Sequence, residues 1–185
     1  MPEPEAPAMI RTAAAIATYI AAKDLNRPWL MAHAFAPAAL LDIVTKTDAI
    51  AFPATTAGAE AIADVLVRRF ALDNENVYTL CLTAPPEGVA AQFACNWLVA
   101  MSRRADRAVR VGCGSYDWAF GADGRVERLA ITIADMAVLP AEAAGPVMNW
   151  VSVLPWPWCP APLAAASLPP LPALGDIARS IGAPS

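Results

Sequence analysis

The chain has 185 residues, of which 57% are hydrophobic and 16% are charged, and its formal net charge is −4 at pH 7. Typical soluble domains carry about 25% charged residues, so this chain must hide extra apolar surface in a membrane-spanning helix, a pocket or an interface. A spanning helix needs about 20 consecutive apolar residues. The alanine-rich stretch 12–22 and the proline-broken stretch 147–174 do not provide them.

The acidic balance also argues against nucleic-acid binding, because contact with a phosphate backbone requires a basic stripe. The nearest approach to such a stripe comprises Arg103, Arg104, Arg107 and Arg110, and Asp106 interrupts it. A solvated turn between two strands explains this cluster more simply. We therefore expect no nucleic-acid partner and no membrane partner.

The N-terminus and the cysteines favour a cytoplasmic protein. Residues 1–8 are acidic and proline-rich, lack the positive segment of a secretory signal, and predict a disordered leader. The cysteines have no C-x-x-C spacing and lie in apolar surroundings, which favours buried free thiols in a reducing compartment over disulfides. These cysteines are Cys81, Cys95, Cys113 and Cys159.

Three helices are predicted in the first 72 residues. The first covers 9–24, where apolar residues recur at helical spacing. The second follows Asn26, a good N-cap residue, with Pro28 in its first turn and Pro37 at its end. The third covers 59–72 and ends in basic residues, which suit the helix dipole.

Strand candidates follow these helices and occupy the middle of the chain. They are 39–45, 49–53, 77–84, 88–102, 107–120 and 125–137, and residues 55–58 read as a turn. Asp123-Gly124, between two apolar runs, is a strong hairpin signal. Helices first and a strand meander afterwards predict an α+β fold with an antiparallel sheet.

Both faces of the predicted strands are apolar. Along 88–102, for example, Phe93 and Trp97 face one side while Leu98 faces the other. Helices should cover one face, and either a second subunit or the chain's own tail should cover the other. We expect the second subunit, and hence a homodimer.

The last segment, 138–185, is rich in proline and tryptophan. Proline removes hydrogen-bond donors and stiffens the backbone, so we expect an extended C-terminal extension that packs on the domain or on its dimer partner. A short helix is possible at 174–181. The alternative is a disordered motif recognised by proline-binding modules.

The order of these elements resembles the nuclear transport factor 2-like (NTF2-like) superfamily, which includes SnoaL-like polyketide cyclases and ketosteroid isomerase. The resemblance covers about residues 8–137 and is carried by residues 15–25, by residues 29–42, by the Gly-Ala-Glu-Ala-Ile that begins at Gly58, and by the hairpin 116–126. It implies a cone-shaped α+β barrel, in which three helices lie on the concave face of a curved antiparallel sheet around an apolar cavity. It also implies frequent homodimers.

The resemblance implies candidate catalytic residues as well. Tyr19 matches the position of the family's tyrosine donor, whereas the position of its base falls on Ile43, one residue after Asp42. A one-residue shift turns a strand side chain to the opposite face, so Asp42 points outward unless a bulge intervenes. The same reasoning places Tyr116 in the pocket and Asp117 outside.

His33 is the only histidine, so any histidine-dependent mechanism must use it. In the leading hypothesis, Tyr19 and Tyr116 donate hydrogen bonds while His33 or Asp42 acts as the base in isomerisation, dehydration or cyclisation. The simpler interpretation of His33 is a partly buried helix residue that is hydrogen-bonded to the backbone.

Candidate ligand-binding side chains are mostly aromatic, with one amide to orient a polar atom. They are Trp29, Phe35, Phe93, Trp97, Trp118 and Asn96. Scattered carboxylates and one histidine offer no metal-ligand spacing, so we expect neither a metal nor a cofactor. The expected partner is an apolar cyclic or polyketide-like compound; the alternative is a non-catalytic ligand-binding or dimerising domain.

Overall fold

A computed structural model describes residues 9–182 and has one six-stranded sheet with helices on both faces. The leader expected at 1–8 lies outside the described residues. The helices are α1 (Thr12–Asp24), α2 (Met31–Ala34), α3 (Ala59–Ala63), α4 (Phe70–Asp73), α5 (Ala144–Val151), α6 (Ala161–Ala166) and α7 (Gly175–Gly182), with 3-10 turns at Pro28–Leu30, Ala141–Ala143 and Pro172–Leu174. A π-helical segment, Asp64–Arg69, joins α3 to α4.

The strands are β1 (Phe35–Thr45), β2 (Thr55–Ala57), β3 (Asn74–Cys81), β4 (Gln92–Arg103), β5 (Val109–Phe120) and β6 (Val126–Leu139), in the order β2-β1-β6-β5-β4-β3. The sheet is curved and open, because β2 and β3 are its edges, so the expected closed barrel is wrong. The pair β1–β6 is parallel, with Leu41 opposite Leu129, whereas all other pairs are antiparallel. The expectation of an antiparallel sheet is therefore wrong for this one pair. The last strand, β6, lies beside the first strand, β1, and runs in the same direction.

The boundaries between α2 and β2 differ from the prediction. Phe35 and Pro37, assigned to the second helix, belong to β1, and the ladder shifts register between Phe35 and Leu40. Asn26 is not a cap but ends α1 with a positive φ of 50°. The predicted strand 49–53 is a loop, and the predicted turn at 55–58 contains β2, because β-branched Thr55 and Thr56 pair with β1.

Helices of the N-terminal half cover the concave face of the sheet. From α1, Ile16, Tyr19 and Ile20 are fully buried in this core, whereas Met9 lies outside the helix and is exposed. Full burial of one such apolar side chain contributes about 1.5–3 kcal/mol. The helices therefore hold Tyr19 firmly above the middle of the sheet.

The C-terminal tail covers part of the outer face and is largely helical, so the expectation of an extended tail is wrong. Val147, Trp150 and Ile177 pack in a second core with strand residues such as Leu98 and Val109. Alanine and leucine between the prolines favour short helices, each of which starts near a proline that needs no N–H partner. In this structure the tail takes the place that we assigned to a second subunit.

The tail also protects an edge of the sheet. The backbone N–H of Cys81 donates to Pro157 O at 2.7 Å, and that of Cys159 donates to Cys81 O at 2.9 Å. These bonds occupy groups that an edge strand would otherwise offer to another chain. No helix within residues 9–182 is long and apolar enough to cross a membrane.

Candidate functional site

A cavity of about 50 Å³ lies between the concave face of the sheet, α1 and the π-helical segment. That space holds a few water molecules and no larger organic ligand. Its apolar lining comprises Ile43, Ile50, Phe52, Leu66, Phe70, Val99, Met101, Ile131, Ile133 and Met136. Five further side chains bring polar atoms to it, namely Tyr19, Lys23, Thr79, Trp97 and Tyr116.

Two glycines on β5 explain why the concave face is so full. A Cβ at Gly114 would collide with the carbonyl oxygen of Thr132 and would lie 2.8 Å from Cζ2 of Trp97, and a Cβ at Gly112 would lie 2.5 Å from Cε of Met136. Glycine at these positions therefore lets β6 and the side chains of Trp97 and Met136 approach β5 closely. Both of these side chains line the cavity.

An aromatic cluster forms one end of the cavity. The ring centroid of Tyr19 lies 5.4 Å from that of Trp118, 5.8 Å from that of Phe35 and 6.1 Å from that of Tyr116. Trp97 stacks on Tyr116 at 5.7 Å. Edge-to-face and stacked pairs at these distances stabilise one rigid arrangement, so the polar atoms of the rings have fixed positions.

The polar atoms of this cluster are hydrogen-bond donors. Burial raises the pKa of Tyr19 well above its ordinary value, although a hydrogen bond with Tyr116 opposes the rise. Burial, followed by the proximity of Tyr19, also raises the pKa of Tyr116. Both phenols are therefore protonated at neutral pH. The Nε1 atoms of Trp97 and Trp118 are buried and have no hydrogen-bond partner among the described residues.

A buried ionic network borders the cavity on the side of α1. Nζ of Lys23 lies 2.8 Å from Oδ1 of Asp24 and donates to Oγ1 of Thr79 at 2.6 Å. The backbone N–H of Thr79 and Nε1 of Trp156 donate to Oδ2 of Asp24 at 2.7 and 3.0 Å. The network thus joins α1, β3 and the C-terminal tail.

Sequence reasoning missed Lys23, which we assigned only to the end of the first helix. The available signal was its spacing: Lys23 follows Tyr19 by four residues, so both side chains lie on one face of α1. In the structure Lys23 is 7% exposed, and its Nζ lies 4.9 Å from the ring centroid of Phe70. Asp24 and Thr79 already engage its ammonium group.

The loop 46–54, between β1 and β2, closes the cavity. Its half-buried side chains Ile50 and Phe52 line both the cavity and an outer groove of about 440 Å³. Phe70 is the third residue shared by the two spaces. These three side chains therefore form a partition between the cavity and the groove.

The structure does not bring the predicted bases to the cavity. His33 is exposed, with its ring 5.4 Å from that of Trp29, which is itself 65% exposed. Asp42 accepts hydrogen bonds from Arg128, at 2.7 Å, and from Thr55 at the outer surface. The hypothesis that His33 or Asp42 acts as a base in the pocket is therefore wrong for both, although the strand phase correctly predicted that Asp42 points outward. Asp117 is exposed, on the side that the strand phase predicts.

The predicted ligand-binding residues are also scattered. Trp97 lines the cavity, and Phe35 and Trp118 are buried in the aromatic cluster behind it. Phe93 is half-buried beside Trp158, at 6.4 Å between ring centroids. Asn96 is exposed and lines a different groove, on the face of the sheet opposite the cavity. Trp29 lies at the surface. Neither residue lines the cavity, contrary to expectation.

The four cysteines are free thiols, as the sequence predicted. A hydrogen bond with Cys95 and burial raise the pKa of Cys81. Within residues 9–182, no group of three or more histidine, cysteine, aspartate and glutamate side chains could hold a metal ion.

Comparison with solved structures identifies the fold. A nuclear transport factor 2-like protein from Burkholderia thailandensis E264 matches with a TM-score of 0.53 and 16% identity, over 68% of this chain and 92% of that chain. A hypothetical protein from Catenulispora acidiphila DSM 44928, with a ketosteroid isomerase-like fold and in complex with trimethylamine, matches at 0.51 and 14%, over 63% and 82%. A computationally designed 17-OHP binder matches at 0.51 and 11%, over 66% and 92%.

No family model matches the sequence. No curated protein matches it either. At these low identities the structural likeness establishes the fold alone. The chain has the NTF2-like fold that its sequence resembles.

Proposed function

We propose that this protein binds an apolar cyclic molecule carrying an acceptor oxygen, and that it holds the molecule without converting it. The observation that carries the proposal is Nε1 of Trp97, a buried donor without a partner among residues 9–182, on a side chain that lines a mostly apolar cavity. A buried donor left unpaired costs about 1–3 kcal/mol. A carbonyl or hydroxyl oxygen of a ligand would satisfy it.

Binding requires the cavity to open, because ligand pockets usually measure about 300 Å³ or more. Ile50 and Phe52 are the side chains that can leave, since the loop 46–54 lies between strands and has the outer groove behind it. Their displacement would merge the cavity with the groove. A ring system would then lie on Trp97 and Tyr116, with its oxygen at the indole N–H.

The arrangement favours binding over catalysis. Isomerisation, dehydration or cyclisation by proton transfer needs a base within hydrogen-bond reach of the substrate. The pKa values of Tyr19 and Tyr116 are raised, which keeps both protonated, and the ammonium of Lys23 is engaged by Asp24. His33 and Asp42 lie outside the cavity. These facts support the non-catalytic alternative.

Two of the matching structures support a binding role. One matching structure holds trimethylamine, and another is a designed binder for 17-OHP. Those ligands belong to those proteins. They support the proposal only in that the same curved sheet accommodates small organic molecules.

The test uses 2-naphthol as the probe, with binding measured by calorimetry and by tryptophan fluorescence. Trp97→Phe keeps the ring and removes the N–H, and we expect about fivefold weaker binding, the value of one neutral hydrogen bond. Trp29→Phe, at the exposed Trp29, is the control and should bind like wild type. The bound probe should be recovered unchanged. Absence of binding to the wild-type protein would contradict the proposal.

We also propose that the bare half of the outer face forms a homodimer. A row across three strands places Ala94, Asp117 and Ala130 side by side, with Arg128 nearby. Small side chains permit close approach, and a two-fold axis would let the opposite charges of two copies meet. Ala94→Arg should give a monomer in sedimentation equilibrium, whereas Ala105→Arg in an exposed turn should not. A wild-type monomer at micromolar concentration would refute the dimer.

A further inference from the structure

The outer groove of about 440 Å³ differs in chemistry from the cavity that it adjoins. Ile50, Phe52 and Phe70 separate the two spaces. The polar residues that line the groove are Asp48, Arg69, Asp73, Asn74 and Arg110. A molecule whose ring enters the cavity past this partition would keep its other end in the groove.

Arg110 is the unpaired cation of this groove. It stands opposite Met101 in the β4–β5 register, so its side chain projects from the concave face beside a residue that lines the cavity. Its Nε is buried without a hydrogen-bond partner, and none of the ion pairs within residues 9–182 includes it. Burial, with added repulsion from Arg103, lowers the pKa of Arg110, although attraction by Asp106 and Asp73 opposes this shift. Neither carboxylate forms an ion pair with Arg110, so an anion in the groove would supply the direct partner that the guanidinium lacks.

Asn74 supplies a complementary acceptor. It is 4% exposed, and its Nδ2 donates to Phe70 O at 3.0 Å. That bond fixes the orientation of the amide, and Oδ1 is buried without a partner in the described part of the chain. A hydroxyl or N–H group of a ligand would satisfy Oδ1, whereas a carboxylate alone would not.

The other charged residues of the groove do not change the preference of its floor for an anion. Arg69 is paired with Asp64 at 2.7 Å. Asp48 and Asp73 are exposed at the rim, where water and salt screen them from a ligand on the floor. The buried part of the guanidinium of Arg110 is screened less, so the floor of the groove favours an anion.

We propose that this groove is a second subsite for the same ligand, in which Arg110 pairs with a carboxylate and Asn74 Oδ1 accepts a hydrogen bond from a hydroxyl. The inference rests on the proposed function and deepens it: besides the acceptor oxygen that meets Trp97, the apolar ring compound carries a carboxylate and a hydroxyl group at its other end. Its ring takes the place of Ile50 and Phe52. Its polar end stays in the groove.

The experiment compares three probes with the same ring and the same ring hydroxyl for Trp97: 2-naphthol, 7-hydroxy-2-naphthoate and 4,7-dihydroxy-2-naphthoate. Calorimetry should show 7-hydroxy-2-naphthoate binding about tenfold tighter than 2-naphthol, as for one charge-assisted hydrogen bond. The dihydroxy acid, whose second hydroxyl is too far from the carboxylate to bond to it, should bind tighter still, by about fivefold. These comparisons on the wild-type protein need no variant.

Matched variants locate the effect. Arg110→Gln should abolish the preference for the acid and leave 2-naphthol binding unchanged, whereas Arg107→Gln, in an exposed turn, removes the same charge elsewhere and should preserve the preference. Asn74→Ala should abolish only the preference for the dihydroxy acid. Equal binding of 2-naphthol and 7-hydroxy-2-naphthoate, or equal effects of the two arginine variants, would overturn the subsite alone. Absence of binding by all three probes would remove the proposed function with it.

Discussion

The two faces of the sheet bury apolar side chains in different ways. Under the C-terminal tail the core is complete: Trp150, for example, is 4% exposed and its Nε1 donates to Ala164 O at 3.1 Å. On the concave side, four buried atoms lack hydrogen-bond partners within residues 9–182, namely Asn74 Oδ1, Trp97 Nε1, Arg110 Nε and Trp118 Nε1. The polar groups under the tail are thus paired within the chain, as at Trp150, whereas the concave side leaves four buried atoms for the ligand that we propose.

The largest loss of stability is expected from a substitution in the core of the outer face, under the C-terminal tail. Trp150→Ala removes a buried ring together with its hydrogen bond, and we expect a loss of about 3–5 kcal/mol in the free energy of unfolding. Urea denaturation measures the loss. Trp29→Ala at the exposed Trp29 should cost less than about 0.5 kcal/mol. Similar losses in both variants would show that the tail does not form a packed core.

On the concave side, the free energy of unfolding should fall at alkaline pH because two buried tyrosines would have to ionise. The pKa values of Tyr19 and Tyr116 are raised by burial, so in the unfolded chain these phenols ionise near pH 10 but in the folded protein they do not. Their contribution to stability is complete below about pH 10 and falls above it by about 1.4 kcal/mol per pH unit for each tyrosine. Denaturation of the wild-type protein and of Tyr116→Phe at pH 9, 10 and 11 measures this slope, because the variant keeps the buried cysteines whose pKa values are also raised. A flat profile would mean that both hydroxyls are accessible to water.

A smaller effect is expected at the partition between the cavity and the groove. Phe52→Ala removes a half-buried side chain and should cost about 1 kcal/mol of stability while it strengthens 2-naphthol binding by about threefold, because less side chain must be displaced. Pro53→Ala, at an exposed position of the same loop, is the control. Weaker binding by Phe52→Ala would mean that Phe52 is part of the ligand site and not its cover.

Local patterns predicted much of the fold. Strand phase, set by the resemblance to the family, placed Tyr116 inside and Asp117 outside, and Asp123-Gly124 marked the final hairpin, where Gly124 has a φ of 82°. These predictions succeeded because each depends on neighbouring residues. The parallel pairing of β1 with β6 depends on contacts between distant segments, for which the sequence gives no local signal.

The candidate site was harder to predict for the same reason. His33 and Asp42 were chosen for their chemistry, but a short helix and an outward strand phase place both at the surface. Lys23 and Thr79 are 56 residues apart, and only the packing of α1 on β3 brings them together. Unpaired atoms such as Nε1 of Trp97 become visible only when all potential partners have positions.

A ligand site on the concave face can be tested directly by NMR. The measurement compares the indole N–H signal of Trp97 with and without 2-naphthol. The six tryptophans can be assigned by single Trp→Phe substitutions. We expect the Trp97 signal to move downfield on binding as its N–H gains an acceptor, while the signal of Trp150 stays in place. An unchanged Trp97 signal at saturating probe would contradict a ligand site on the concave face.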